Sequence, residues 1–131
     1  MAKVDAFLAR RRTIARRYDQ AFASLGAVRP LAADHDQSAV FLYVVRVPAA
    51  QRQGFRDMLK QRGVDTGVHY PLNHRQPFFQ SYASAPLPRV ERIESEIVSL
   101  PMFAGLTDAE VETVVTAVQA FHNTPLVACR G

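Results

Sequence analysis

The segment SAVFLYVVRV (38–47) limits the fold more than any other stretch of the chain. Its residues are largely β-branched or aromatic, and until Arg46 they are apolar at both alternating positions. A strand of this kind cannot leave either face bare to water, so it needs cover from other elements. With 131 residues, 48% of them hydrophobic, the chain can build one core but not two domains.

Helical patterns supply the cover. Val4, Phe7, Leu8, Ile14, Ala15, Tyr18, Phe22 and Leu25 recur at three-and-four spacing, which predicts a leading helix over 1–26 stopped by Gly26. Pro48 ends the strand and can open a second helix, lined by Phe55, Met58 and Leu59 and closed by Gly63. VDTGVHYP (64–71) reads as a second strand, and the Pro- and aromatic-rich stretch 72–88 as an ordered loop with one helical turn. Val90 and Ile93 predict a short helix after Pro88, and EIVSLP (96–101) a third strand. Thr107 and Glu110 form a capping box ahead of a last helix carrying Val111, Val114, Val115, Val118 and Phe121. The order is α-β-α-β-loop-α-β-α. This implies an α/β fold, a two-layer sandwich of a three-stranded sheet and about four helices, over 1–123, with a frayed tail at 124–131.

Charge is concentrated rather than spread. Residues 1–20 hold Lys3, Arg10, Arg11, Arg12, Arg16 and Arg17 against Asp5 and Asp19, while the rest of the chain balances, ten basic against ten acidic. On a helical wheel these cations border the apolar stripe on both sides instead of gathering on the opposite face, and Arg11 lies within it. That arrangement frames a packing surface, so nucleic-acid binding is not expected.

Few catalytic constellations remain. Cys129 cannot pair within the chain, and with no secretory leader this fits a reducing cytoplasm. The longest apolar run, 39–45, is strand length, so no membrane association is expected. His69 and His74 lack further ligands for a metal. The glycines are scattered, with neither a phosphate loop nor a nucleophile elbow. Lys3 lies near the terminus, and Lys60 lies near the end of an ordinary helix, where a cation complements the dipole. Neither is a credible carbonyl-capturing amine, so no catalytic residue and no cofactor are assigned to this chain alone.

RRRTIARRYDQAF (10–22), SAVFLYVVRV, RQGFRDMLKQRGVDTGVHYPLNHRQPFF (52–79) and LPRVERIESEIVSLPMFAGLTDAEVETVVTAV (87–118) together resemble the C-terminal small domain of the DegT/DnrJ/EryC1/StrS aminotransferases. HYPLNH and SLPMFAGLTDAEVETV are the most specific parts. The resemblance implies a fold-type-I pyridoxal phosphate enzyme that aminates keto groups on nucleotide-linked sugars. It also implies that the Schiff-base lysine and most of the phosphate cradle belong to a large domain or subunit with no counterpart in this chain.

By matched position, Tyr70 and His74 are the substrate-side candidates, followed by His69, Asn73 and Arg75. Tyr and His can donate to sugar hydroxyls or diphosphate oxygens, and Arg can pair with phosphate. The structural alternative is that His69 and Tyr70 merely finish a strand and His74 caps a loop. Phe41 stands where members often have a His, and the spacing from Tyr70 to His74 is slightly short. The expectation is a domain that is not catalytic alone. The alternatives are a complementing interaction subunit and a nucleic-acid binder using the first helix. A dimer burying Phe7, Ile14, Tyr18 and Phe22 is expected, since a stripe made for another domain would otherwise face water.

Overall fold

The computed structural model describes residues 2–82 and 85–123. Among them are α1 (Ala2–Phe22), β1 (Arg29–Pro30), β2 (Tyr43–Arg46), α2 (Ala49–Gln61), α3 (Pro88–Glu96), β3 (Ile97–Leu100) and α4 (Asp108–Asn123). Two 3-10 turns, Asn73–Arg75 and Gln80–Tyr82, lie between α2 and α3. The expected tail falls outside the described residues.

The strands form one antiparallel sheet in the order β1-β2-β3, with Tyr43 opposite Leu100 and Arg46 opposite both Arg29 and Ile97. A helical layer covers the face bearing Tyr43 and Val45. The Tyr18 ring of α1 lies edge-on to Tyr43 at 5.0 Å, and Phe22 stacks on Tyr18 at 5.6 Å. Phe55 and Leu59 of α2, Val98 and Leu100 of β3, and Val111, Val114, Val115 and Val118 of α4 complete the core. Helices α1 and α2 both pack on α4, and α3 packs on α2.

Several expectations need correction. The strand at 38–47 is regular only over its last part, because Val40 adopts a left-handed φ of 44°, which a β-branched residue seldom tolerates. That turn buries Val40 and leaves Phe41 largely exposed, so residues 38–42 do not join the sheet. The segment 64–71 contributes a single bridge, Gly67 to Ser99, instead of a strand. The third sheet member is Arg29–Pro30, a stretch in which the sequence pattern predicts no strand; proline is acceptable on an edge strand, where its missing N–H faces no partner. Helix α1 also ends four residues before Gly26. The Leu25 N–H turns back to the Phe22 carbonyl at 3.0 Å, which carries Leu25 and Val28 into the core.

Other signals hold. Gly63 closes α2 with φ 77°. Its N–H bonds to the Lys60 carbonyl and the Val64 N–H to the Leu59 carbonyl, the paired bonds of a Schellman cap with Val64 buried beside Leu59. The capping box forms: Thr107 N–H donates to Glu110 Oε2 at 2.8 Å, and Glu110 N–H donates to Thr107 Oγ1 at 3.2 Å. Ile14, Tyr18 and Phe22, expected at a dimer contact, are instead sealed inside the chain at 1% exposure or less; of that set only Phe7 remains exposed.

Candidate functional site

Gly67 positions the first part of the site. Its backbone pairs with that of Ser99, N–H to carbonyl in both directions at 3.0 and 2.8 Å, which fixes the chain against the free edge of β3. A side chain at Gly67 would collide with the His69 imidazole, coming within 3.0 Å of Nδ1 and closer to Cε1. The His69 ring therefore folds back over a residue that has no Cβ. Tyr70 follows across a cis peptide, its ring edge-on to His69 at 5.2 Å and 65% exposed. Beside them lies an open cavity of about 370 Å³ lined by Phe41, Thr66, Gly67, His69 and Ser99. The Ser99 hydroxyl is buried there with no hydrogen-bond partner among the described residues.

The second part begins at the turn Asn73–Arg75, which Arg75 N–H closes onto the Leu72 carbonyl and Gln76 N–H onto Asn73. This turn aims His74 and Arg75 at Glu91 in the first turn of α3. Arg75 Nη2 donates to Glu91 Oε2 at 2.8 Å, and His74 Nε2 lies 3.2 Å from Oε1. The hydrogen bond to His74, more than the nearby Arg75, holds the Glu91 carboxyl below the usual carboxylate range.

Of the five sequence candidates, the structure thus brings His69 into contact with Tyr70, and His74 together with Arg75. No hydrogen bond or ring contact joins these two groups among the described residues. Tyr70 Oη, both His69 nitrogens, His74 Nδ1 and the Asn73 amide make no hydrogen bond among the described residues. Glu91 went unnoticed in the sequence. It lies 17 residues beyond His74, with no periodic or motif spacing to connect them.

The basic segment is largely consumed by internal contacts. Arg10 reaches the Leu106 carbonyl and Asp108, and Arg17 meets Glu112 at 2.8 Å, stitching α1 to the start of α4. Arg16 pairs with Asp36, and Arg12 donates to the Asp36 carbonyl at 2.8 Å, pinning the 34–38 loop. Lys60 is exposed in the last turn of α2, and Lys3 is exposed near the start of α1, 5.9 Å above the Phe7 ring. Among the described residues no cluster of His, Cys, Asp and Glu could hold a metal, and no helix is long and apolar enough to cross a membrane.

Comparison with known proteins gives one family. The model of the DegT/DnrJ/EryC1/StrS aminotransferase family matches residues 1–119. Among solved structures, the aminotransferase TlmJ from Streptoalloteichus hindustanus is 32% identical with a TM-score of 0.83, covering 91% of this chain and 32% of its own. DesV of S. venezuelae, solved in complex with a ketimine intermediate, is 28% identical at a TM-score of 0.83, covering 92% of this chain and 33% of its own. Bacillus subtilis ntda, solved with bound cofactor PMP, is 25% identical at 0.80, covering 90% and 29%. The chain spans about a third of the length of these structures.

Proposed function

We propose, from the premise that this chain belongs to the DegT/DnrJ/EryC1/StrS aminotransferase family, that it acts as the small C-terminal domain of a nucleotide-sugar aminotransferase and does not transaminate alone. The observation that carries the reading is a cluster of uncommitted polar groups in the segment 69–75. His74 is held by Glu91, and His69, Tyr70, Asn73 and His74 all keep hydrogen-bonding capacity that no other described residue uses. Neighbouring polar groups with unused hydrogen-bonding capacity are what a sugar, itself rich in hydroxyls, can satisfy. Arg75, with a planar fork of donors, suits the phosphate of the nucleotide.

The residues present do not fit pyridoxal phosphate. The cofactor needs a lysine in a desolvated or charge-tuned pocket, and both lysines are exposed on helices. In this reading the cofactor belongs to a large lysine-bearing domain, the electron-sink chemistry occurs there, and this domain binds and orients the sugar. A cytoplasmic location goes with it.

Mixing the chain with pyridoxal phosphate is expected to give no lysine-dependent aldimine absorbance. Joined with a lysine-bearing large-domain polypeptide, it is expected to restore amination of a nucleotide-linked keto sugar, with Tyr70→Phe and His74→Ala each raising KM about tenfold. A stoichiometric adduct abolished by Lys60→Ala, or turnover by the chain unaided, would overturn the proposal.

A further inference from the structure

Glu91 lies where the N-terminus of α3 favours negative charge, and its two oxygens are taken by Arg75 and His74. The same contacts, the hydrogen bond to His74 first, hold its carboxyl below the ordinary carboxylate range, so it is ionised at neutral pH. An ionised carboxylate has no hydrogen to give. The ring nitrogen facing it, His74 Nε2, must therefore carry one, and a neutral imidazole carries only one. In the neutral ring Nδ1 is then left as a lone-pair acceptor, and it makes no hydrogen bond among the described residues.

We propose that Glu91 is a positioning residue: it fixes the tautomer and direction of His74 so that Nδ1 accepts the hydrogen of a sugar hydroxyl. This rests on the reading that the segment 69–75 meets a nucleotide-linked sugar, and it specifies what His74 recognises there. A lone pair repels a phosphate oxygen and welcomes an O–H. Arg75, its side chain 63% exposed and only one of its donors engaged by Glu91, is left to meet the anionic part of the ligand. Glu91 thus separates the tasks of two neighbours by occupying a different kind of donor on each.

The tautomer can be read without substrate. In a chain labelled with 15N-histidine, NMR at about pH 8, where an ordinary imidazole is neutral, should show the His74 hydrogen on Nε2. Glu91→Gln should abolish that preference. Glu91→Asp should retain part of it, and Arg75→Gln should leave it in place; circular dichroism confirms that each variant folds. A wild-type ring protonated on Nδ1, or a tautomer indifferent to Glu91→Gln, overturns the role of Glu91 whatever the ligand. In the chain joined with a large-domain polypeptide, Glu91→Gln should raise KM for the sugar nucleotide about tenfold and leave kcat within about twofold. A shifted tautomer with unchanged KM overturns the sugar contact and leaves the hold of Glu91 on the ring standing.

Discussion

Single residues decide how the site and core are held. Because His69 rests over Gly67, a methyl group there must displace the imidazole, which is exposed and free to swing. Gly67→Ala should therefore cost under about 1 kcal/mol in urea unfolding, the scale of a small surface change. It should still move the His69 resonances; unchanged His69 shifts would refute the contact. Tyr43 behaves differently. Its hydroxyl donates to Asp19 Oδ1 at 2.6 Å from a side chain only 3% exposed, while His35 Nε2 sits 2.6 Å from the other Asp19 oxygen. Burial first, and then the bond to Asp19, pushes the Tyr43 phenol far above its ordinary range. Tyr43→Phe keeps the ring packing and removes the donor, so a loss of about 1–2 kcal/mol is expected in denaturant unfolding. Tyr43 was legible only as a strand residue. The network that satisfies its hydroxyl joins residues 16 and 24 positions apart, beyond any periodicity.

At the scale of elements, local chemistry was readable and long-range pairing was not. The capping box, the Gly63 cap and the apolar stripe of α1 each depend on neighbours within a few residues, and each appears in the fold. Thr107→Ala should thus cost about 1 kcal/mol of stability, the usual value of an N-cap, measured by urea unfolding. Strand 38–47 stops short because Val40 turns left-handed, and β1 forms because β2 has an edge to offer; both outcomes belong to the assembled sheet, not to the segment. The junction of α3 and β3 adds a pH dependence. Arg46 Nε donates to Glu96 Oε2 at 2.9 Å, and this bond to Arg46 is the main cause holding the Glu96 carboxyl below its ordinary value of 4.5. A carboxyl that binds its proton less readily folded than unfolded contributes stability above its unfolded value and loses it as the pH falls through the lower native one. The urea midpoint should drop between about pH 5 and about pH 3, and Glu96→Gln should flatten that slope. An unaltered slope would mean that Arg46 does not hold Glu96 in solution.

For the molecule as a whole, the question is which surface remains open once the core is built. The inner part of the α1 stripe does not, since Ile14, Tyr18 and Phe22 are buried, with the Tyr18 ring against Tyr43 of β2 and Tyr18 Oη donating to the Pro101 carbonyl at 3.1 Å, while Val4 and Phe7 at its start stay exposed. Exposed aromatic rings in mutual contact lie on the loop after the site. Phe78 and Tyr82 are each 75% exposed, and the Phe78 ring touches Phe79 at 5.1 Å and Tyr82 at 6.4 Å. Exposed aromatics clustered in this way gain free energy by finding cover. In the proposed enzyme a large domain would stand nearby; for the free chain in solution, a second copy is the available cover. Light scattering of the isolated chain at rising concentration should therefore show association that Phe78→Ser with Tyr82→Ser abolishes while the circular dichroism spectrum is kept. Tyr18→Ser should instead unfold the chain, because its ring fills the core. A chain that stays monomeric at high concentration, or a dimer indifferent to Phe78 and Tyr82, would show that this loop is not the adhesive surface.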